Sequence, residues 1–346
     1  MPIPIRNLYY LLCYAYDALD LLGEAPASGI EGPTPADLFA RVLSHGTATL
    51  LRRGLDRNYV AHDEELRNPR GRIDVSKTVK RALESRGRVA CDLDDLVADI
   101  LPNQILRSTI QNLADGGIDL DAREQCAVVL ERLGPLSPLQ LRPDVFRRAR
   151  RLRMGLMSRT LVAWCELVYK ALLPKEGGKG SPFQDFWRQE GAMRTLFEAF
   201  VRGFYRREMP ELGATSERFA WHGVALDPSS GAVLPMMKTD VSLNSHSKVV
   251  IDTKFVPEAL KPGQFGGVRL RSEHLYQLMA YLTNLTAYAK CTPGEVKGVL
   301  LYPVIEAPFR YRYELLGHTV EARSLNLDRE WPEIRRELEA IAALRS

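Results

Sequence analysis

The stretch LPMMKTDVSLNSHSKVVIDTKF, from Leu234 to Phe255, decides how the rest of the chain is read. Two short apolar, β-branched runs flank the polar cluster Asn244, Ser245, His246 and Ser247, the pattern of a hairpin. On its second strand Asp252 and Lys254 are two residues apart, so a period of two puts both on one face, while Ile251, Thr253 and Phe255 point the other way. A carboxylate and an ammonium side by side on a buried strand are costly unless they pair or hold a metal. Asp240, on the first strand, joins them only in one register. A four-residue loop over 244–247 sets Asp240 opposite Ile251, on the wrong face; a three-residue loop over 245–247 sets it opposite Asp252. The odd loop, or a bulge, is therefore expected.

Two carboxylates and a lysine so arranged suit a hard divalent cation, Mg²⁺ or Mn²⁺, bound by Asp240 and Asp252 together with waters and substrate phosphate oxygens. Such an ion polarises a phosphoryl group and activates a water, while a lysine stabilises the developing charge. The string Asp-x₁₁-Asp-x-Lys is that of the PD-(D/E)xK nucleases. The competing reading is a surface ion pair on an edge strand.

Downstream residues favour the nuclease. EHLYQLMAYLTNL (273–285) has helical periodicity, and Gln277 and Tyr281, four apart, share one stripe. A Q-x₃-Y helix after a D-x-K strand resembles the RecB-like branch of these nucleases, in which the two residues support the site. FWRQEGAMRTLFEAFVRGFYRRE (186–208) reads as a long amphipathic helix ahead of the hairpin, and its Glu198 is a candidate for an additional carboxylate. VKGVLLYP (296–303) reads as a buried strand, followed by strands over 311–316 and 319–325 and a helix over 331–343.

Composition narrows the class. The 346 residues suffice for two domains, and 45% hydrophobic with 26% charged residues is ordinary for a globular protein. A net charge of +4 is mild, so basicity has to be argued locally. No apolar run reaches the ~18 residues of a membrane span, and no secretory signal opens the chain; a cytoplasmic protein is expected. Five scattered cysteines without C-x-x-C give neither a zinc nor an iron–sulfur signature. EGGKGS (176–181) lacks the spacing of a phosphate-binding loop and reads as a linker, so no nucleotide is expected on this chain alone.

The first half reads as helix over 5–20, with Asn7 as cap, then a loop over 26–35 and a helix from Asp37 to Arg53. Two strands are expected around the turn Asn68–Gly71. Arg67, Arg70, Arg72, Lys77, Lys80 and Arg81 crowd this segment, forming either a solvated face or a basic arm that meets DNA phosphates or an acidic partner. Val89 to Ala98 reads as a short strand with acidic Asp92, Asp94, Asp95 and Asp99, whose spacing suggests a solvated loop or a helix N-terminus rather than a metal cluster. Helices follow over 102–113 and 121–133, then a basic helix over 146–157 and an apolar one over 161–173. The domain boundary is expected between 142 and 180, drawn as 1–155 and 156–346.

IPIRNLYYLLCYAY, RRGLDRNY, RGRIDVSKT, LPMMKTD, VVIDTKF, LYQLMAYL and GVLLYP together resemble the McrC family, the nuclease subunits of McrBC modification-dependent restriction systems. The resemblance implies an α+β chain: an N-terminal helical and β-hairpin domain docking on the partner, then a RecB-like PD-(D/E)xK domain with a central mixed sheet flanked by helices. It places metal-binding aspartates on Asp240 and Asp252, the catalytic lysine on Lys254 and the supporting pair on Gln277 and Tyr281. It also implies a Mg²⁺-dependent endonuclease cutting methylcytosine-containing double-stranded DNA while bound to, and stimulating, a McrB-like AAA+ GTPase hexamer. The alternatives are a non-cleaving activator or cap of an AAA+ ring and a stand-alone RecB-like exonuclease.

Overall fold

A computed structural model describes residues 3–17, 19, 34–172, 190–227, 233–244, 247–256, 258–262, 267–305 and 307–343. The expected linker at 176–181, most of the 26–35 loop, residues 186–189 and His246 lie outside them. The helices are α1 (Ile5–Ala15), α2 (Pro35–Arg53), α3 (Val75–Lys80), α4 (Leu101–Ala114), α5 (Leu120–Arg132), α6 (Pro143–Ala149), α7 (Leu156–Leu172), α8 (Glu190–Glu208), α9 (Ser272–Ala289) and α10 (Trp331–Ala342). The strands are β1 (Asn58–Leu66), β2 (Arg72–Ile73), β3 (Val89–Val97), β4 (Arg218–Phe219), β5 (Met237–Lys238), β6 (Val241–Asn244), β7 (Lys248–Thr253), β8 (Lys261–Pro262), β9 (Val268–Arg269), β10 (Val296–Val304), β11 (Arg310–Leu315) and β12 (His318–Asn326). No described helix is long and apolar enough to cross a membrane.

These elements form two compact units, and the division differs from a single cut at 155/156. A split unit combines Met1–Pro33 with Ala171–Ser346, and a middle unit holds Thr34–Lys170. The reason is α1. Its Leu8, Tyr9, Leu11, Leu12 and Cys13 are fully buried, so the helix needs cover on most sides. It finds that cover on elements from the far end of the sequence: Tyr14 packs edge-on against Phe200 of α8, and Tyr10 stacks on Trp331 of α10 at 4.3 Å. Gly203 permits the approach, since a Cβ there would fall 1.9 Å from the Tyr14 carbonyl oxygen. Asn7 is not a cap; its buried amide donates to the carbonyls of Leu327 and Arg329 at 2.8 and 2.7 Å.

The split unit is built on a five-stranded mixed sheet of order β11-β12-β10-β7-β6. β12, β10 and β7 run parallel, and β11 and β6 close the two edges antiparallel. Parallel strands need a crossover, and α9 supplies it between β7 and β10. The helix buries Leu278, Leu282 and Leu285 against Val250, Val296, Leu300 and Val320. Fully burying one such side chain contributes about 1.5–3 kcal/mol, so this layer fixes where α9 lies over the sheet.

In the middle unit α2 starts with a capping box: the Asp37 N–H donates to Thr34 Oγ1, and Asp37 Oδ2 accepts from the Thr34 N–H. It ends at Gly54, whose φ of 98° is one that glycine adopts without strain. The turn at Asn68–Gly71 does not close a hairpin between β1 and β2. β3 lies between them and pairs with β1 along its full length, Asn58 opposite Val97 to Leu66 opposite Val89. β3 is the strand expected over Val89–Ala98, and Asp92, Asp94 and Asp95 sit within it and not in a loop or at a helix start. The expected basic helix over 146–157 is also shorter. Val145, Phe146 and Ala149 anchor α6, the chain turns, and α7 begins at Leu156 after Gly155 has tied its N–H to Asp56 at 3.1 Å.

Candidate active site

The β6–β7 pairing fixes the site. Asn244 lies opposite Lys248 and Val241 opposite Ile251, a register that sets Asp240 level with Asp252. This is the arrangement of the three-residue loop. Asp240 precedes the strand, and its Oδ2 accepts from the Thr253 N–H and Oγ1, both at 2.8 Å. Its carboxylate thus replaces a ladder carbonyl at the strand end, which locks its rotamer.

Asp252 is 1% exposed, and neither carboxylate oxygen accepts a hydrogen bond from a described residue. The Lys254 ammonium stands 2.7 Å from Oδ2 as an ion pair, off the direction a hydrogen bond requires. Burial therefore raises the Asp252 pKa to about 7, with Lys254 opposing and the charges of Asp240 and Glu198 adding to the shift. Burial also raises Asp240, assisted by Glu198, while the Thr253 hydrogen bonds oppose.

The lysine is held from the other side. Its Nζ donates to Gln277 Oε1 at 2.8 Å, and Gln277 Nε2 donates to the Tyr281 hydroxyl at 2.7 Å. Tyr281 is buried, which raises its pKa and keeps the hydroxyl neutral. α9 runs back along β7 from its C-terminal end, so its first turns lie beside the strand ends where ligands of open α/β sheets gather. Glu198 on α8 is 19% exposed and pairs with Arg202 Nη1 at 2.8 Å. The same nitrogen donates to the Asp240 carbonyl at 2.9 Å, fastening the helix to the aspartate.

Among the described residues no three His, Cys, Asp or Glu side chains form a ready-made metal cluster. The donor set nonetheless fits a hard cation. Asp252 presents two buried oxygens without hydrogen bonds, a costly arrangement that a cation would relieve, and Asp240 adds a second carboxylate at the same level of the sheet. Mg²⁺ commonly takes only one or two carboxylates and keeps several waters.

A family profile described as McrBC 5-methylcytosine restriction system component matches residues 23–303. The chain belongs to this family. It is 30% identical over 339 residues to the Escherichia coli (strain K12) type IV methyl-directed restriction enzyme EcoKMcrBC, a match spanning 97% of this chain and 96% of that protein. A chain in the half-complex from the tetradecameric assembly of Thermococcus gammatolerans McrB AAA+ hexamers with bound McrC shares the fold. The TM-score is 0.55 at 18% identity, covering 98% of this chain and 76% of that one. The mixed sheet with flanking helices is thus a family architecture.

The structure brings Asp240, Asp252, Lys254, Gln277 and Tyr281 together, with Glu198 close enough to act on both aspartates. The six basic residues of the other segment lie in the middle unit, and acids already hold several of them. Arg70 pairs with Glu64, Lys77 with Asp74 and Asp92, and Arg81 with Asp63 and Glu65. Arg67, Arg72 and Lys80 make no ion pair among the described residues.

Sequence reasoning missed three supports. Arg202 follows Glu198 by four, and His274 precedes Gln277 by three on the same stripe, so spacing could have found both. His274 Nδ1 lies 3.0 Å from the Tyr302 hydroxyl, and burial, helped by the nearby Lys254 charge, lowers its pKa to about 4. Thr253 left no signal. The period of two puts it on the face away from Asp252, yet its backbone N–H and its hydroxyl both hold Asp240.

Proposed function

We propose that this chain is the DNA-cleaving subunit of a McrBC-like restriction complex, a Mg²⁺-dependent PD-(D/E)xK endonuclease. It cuts methylcytosine-containing double-stranded DNA in the cytoplasm when bound to, and stimulating, a GTP-hydrolysing AAA+ hexamer. The observation that carries this reading is Asp252, buried with both oxygens lacking a hydrogen bond, level with Asp240 and 2.7 Å from Lys254. Family membership supports the restriction role, and the likeness to a chain of an assembly of McrB hexamers with bound McrC supports the partner.

Asp240 and Asp252 would hold Mg²⁺, which when bound polarises the scissile phosphate and lowers the pKa of a water. The chain's own residues do the positioning. Thr253 and Arg202 fix the side chain and the backbone of Asp240, so the carboxylate needs no reordering when substrate arrives. Gln277, oriented by Tyr281, holds the Lys254 ammonium beside Asp252, ready to stabilise negative charge on a phosphoryl oxygen or an attacking water. The McrC resemblance assigns GTP hydrolysis and modified-base recognition to the partner, and EGGKGS (176–181) lacks the spacing of a phosphate-binding loop.

The test is Asp252→Asn in the complex reconstituted with the AAA+ partner. Cleavage of methylated DNA should vanish while stimulation of GTP hydrolysis persists. Cleavage that survives removes the site. Cleavage of linear DNA by the isolated chain with Mg²⁺ and no nucleotide would favour a stand-alone exonuclease instead.

A further inference from the structure

One turn before Gln277, α9 carries a side chain that the proposed chemistry does not use. His274 lies three residues ahead of Gln277 and so shares its stripe, near the Lys254 ammonium that Gln277 holds. Its Nδ1 stands 3.0 Å from the hydroxyl of Tyr302 on β10. Tyr302 is two residues beyond Leu300, which pairs with Asp252, so the period of two puts its side chain on the Asp252 face. The Lys254 N–H donates to the Leu301 carbonyl at 2.9 Å, which sets Tyr302 and Lys254 at the same end of the sheet.

This pair fixes the tautomer of the imidazole. Tyr302 is fully buried, and among the described residues His274 is the one hydrogen-bond partner of its hydroxyl. A buried O–H without an acceptor is costly, so the hydroxyl donates and Nδ1 accepts. The proton of the neutral ring then sits on Nε2, which is open to solvent and has no hydrogen-bond partner among the described residues. Burial and the Lys254 charge, which hold the ring's pKa at about 4, agree with a neutral imidazole. With Nδ1 occupied and a neutral N–H too weak an acid to give up its proton, the ring serves as neither base nor acid. What remains is a donor. An uncharged N–H can bond a phosphoryl oxygen without repelling a cation held by Asp240 and Asp252, as an imidazolium would.

We propose that His274 is a substrate-contacting residue whose Nε2–H donates to a non-bridging phosphate oxygen of the DNA strand being cut, with Tyr302 as the positioning residue behind it. The assignment rests on the nuclease reading, and the experiment separates the two. In the complex reconstituted with the AAA+ partner, single-turnover cleavage of a methylated duplex is measured over a range of Mg²⁺. The proteins compared are the native chain, His274→Ala, His274→Gln, Tyr302→Phe, His274→Ala/Tyr302→Phe and Asp252→Asn.

His274→Ala should cut roughly tenfold more slowly at saturating Mg²⁺, with the Mg²⁺ midpoint within about twofold of native. His274→Gln, whose amide N–H reaches about as far as Nε2, should recover much of the rate. Tyr302→Phe should cost about threefold, and the double variant should be no slower than His274→Ala, because the hydroxyl acts through the ring. A native rate in His274→Ala while Asp252→Asn is inactive overturns the contact and leaves the nuclease standing. A slow His274→Ala that extra Mg²⁺ restores to the native rate also overturns it, since the ring then serves the cation. Losses that add in the double variant overturn the positioning role of Tyr302. Cleavage that survives Asp252→Asn removes the nuclease assignment and the contact with it. If His274→Ala lacks the native thermal transition, His274→Asn decides: its amide can still meet Tyr302 but falls short of Nε2, so it should be equally slow.

Discussion

β7 and β3 are both strands carrying acids beside a lysine partner, and they come to opposite ends. On β3, Asp92 is half-buried and pairs with Lys77 at 3.1 Å, while Asp94 and Asp95 stand in solvent. On β7, Asp252 is sealed under α9 with no hydrogen bond to either oxygen. The first arrangement satisfies its charges locally and stays inert. The second leaves a carboxylate in a dry place with Lys254 as its one ion-pair partner among the described residues, which favours binding a cation and shifting a pKa. Acidic residue count does not mark a site; a buried carboxylate whose one partner is an ammonium does.

The contrast can be broken most directly by neutralising one acid on each strand. Asp252→Asn should lower cleavage by at least ~10³-fold, the scale of removing a central electrostatic group, whereas Asp92→Asn should leave the rate within about twofold. The lysines give the next test. Lys254→Ala should cost about 10²-fold in single-turnover rate, and Lys77→Ala, whose partners are half in water, should leave it unchanged. One step further out, Gln277→Ala or Tyr281→Phe should cost roughly tenfold with DNA affinity retained, because these residues only aim the lysine.

The smallest effect is the most specific. The folded pKa of Asp252 is raised to about 7 from an unfolded value near 4, so the folded state holds the extra proton. Stability in EDTA therefore falls as pH rises through that window. Asp252→Asn should remove the slope, stabilising the metal-free chain by about 1–2 kcal/mol at pH 8 and by nothing measurable at pH 4. Asp92→Asn should show no such pH dependence. Denaturation midpoints at the two pH values decide it.

The candidate site was largely legible because it is local. Asp240, Asp252 and Lys254 lie within one hairpin, and requiring the acids to share a level dictated the loop length that the register of β6 and β7 displays. Helical spacing puts Gln277 and Tyr281 on one stripe, and the resemblance to a Q-x₃-Y helix is what singles them out. What escaped is long-range or backbone-borne. β3 displacing β2 from β1 depends on pairing across more than twenty residues, which no turn signal encodes. The return of α1 to α8 was invisible because an all-round apolar helix announces that it is buried but not by what. Thr253 holds Asp240 partly through a main-chain N–H, a group that is the same in every residue but proline, and partly through a hydroxyl that no spacing rule flags.

The packing of α1 on α8 also has a bearing on synthesis. During synthesis α1 has nothing to lie against until Phe200 and Phe204 emerge, and its stacking partner Trp331 follows later still. A product abandoned midway can hold a finished middle unit, yet it has no assembled sheet and no β7 to present an acid. On the proposed reading, such threading leaves an incomplete copy without the means to cut.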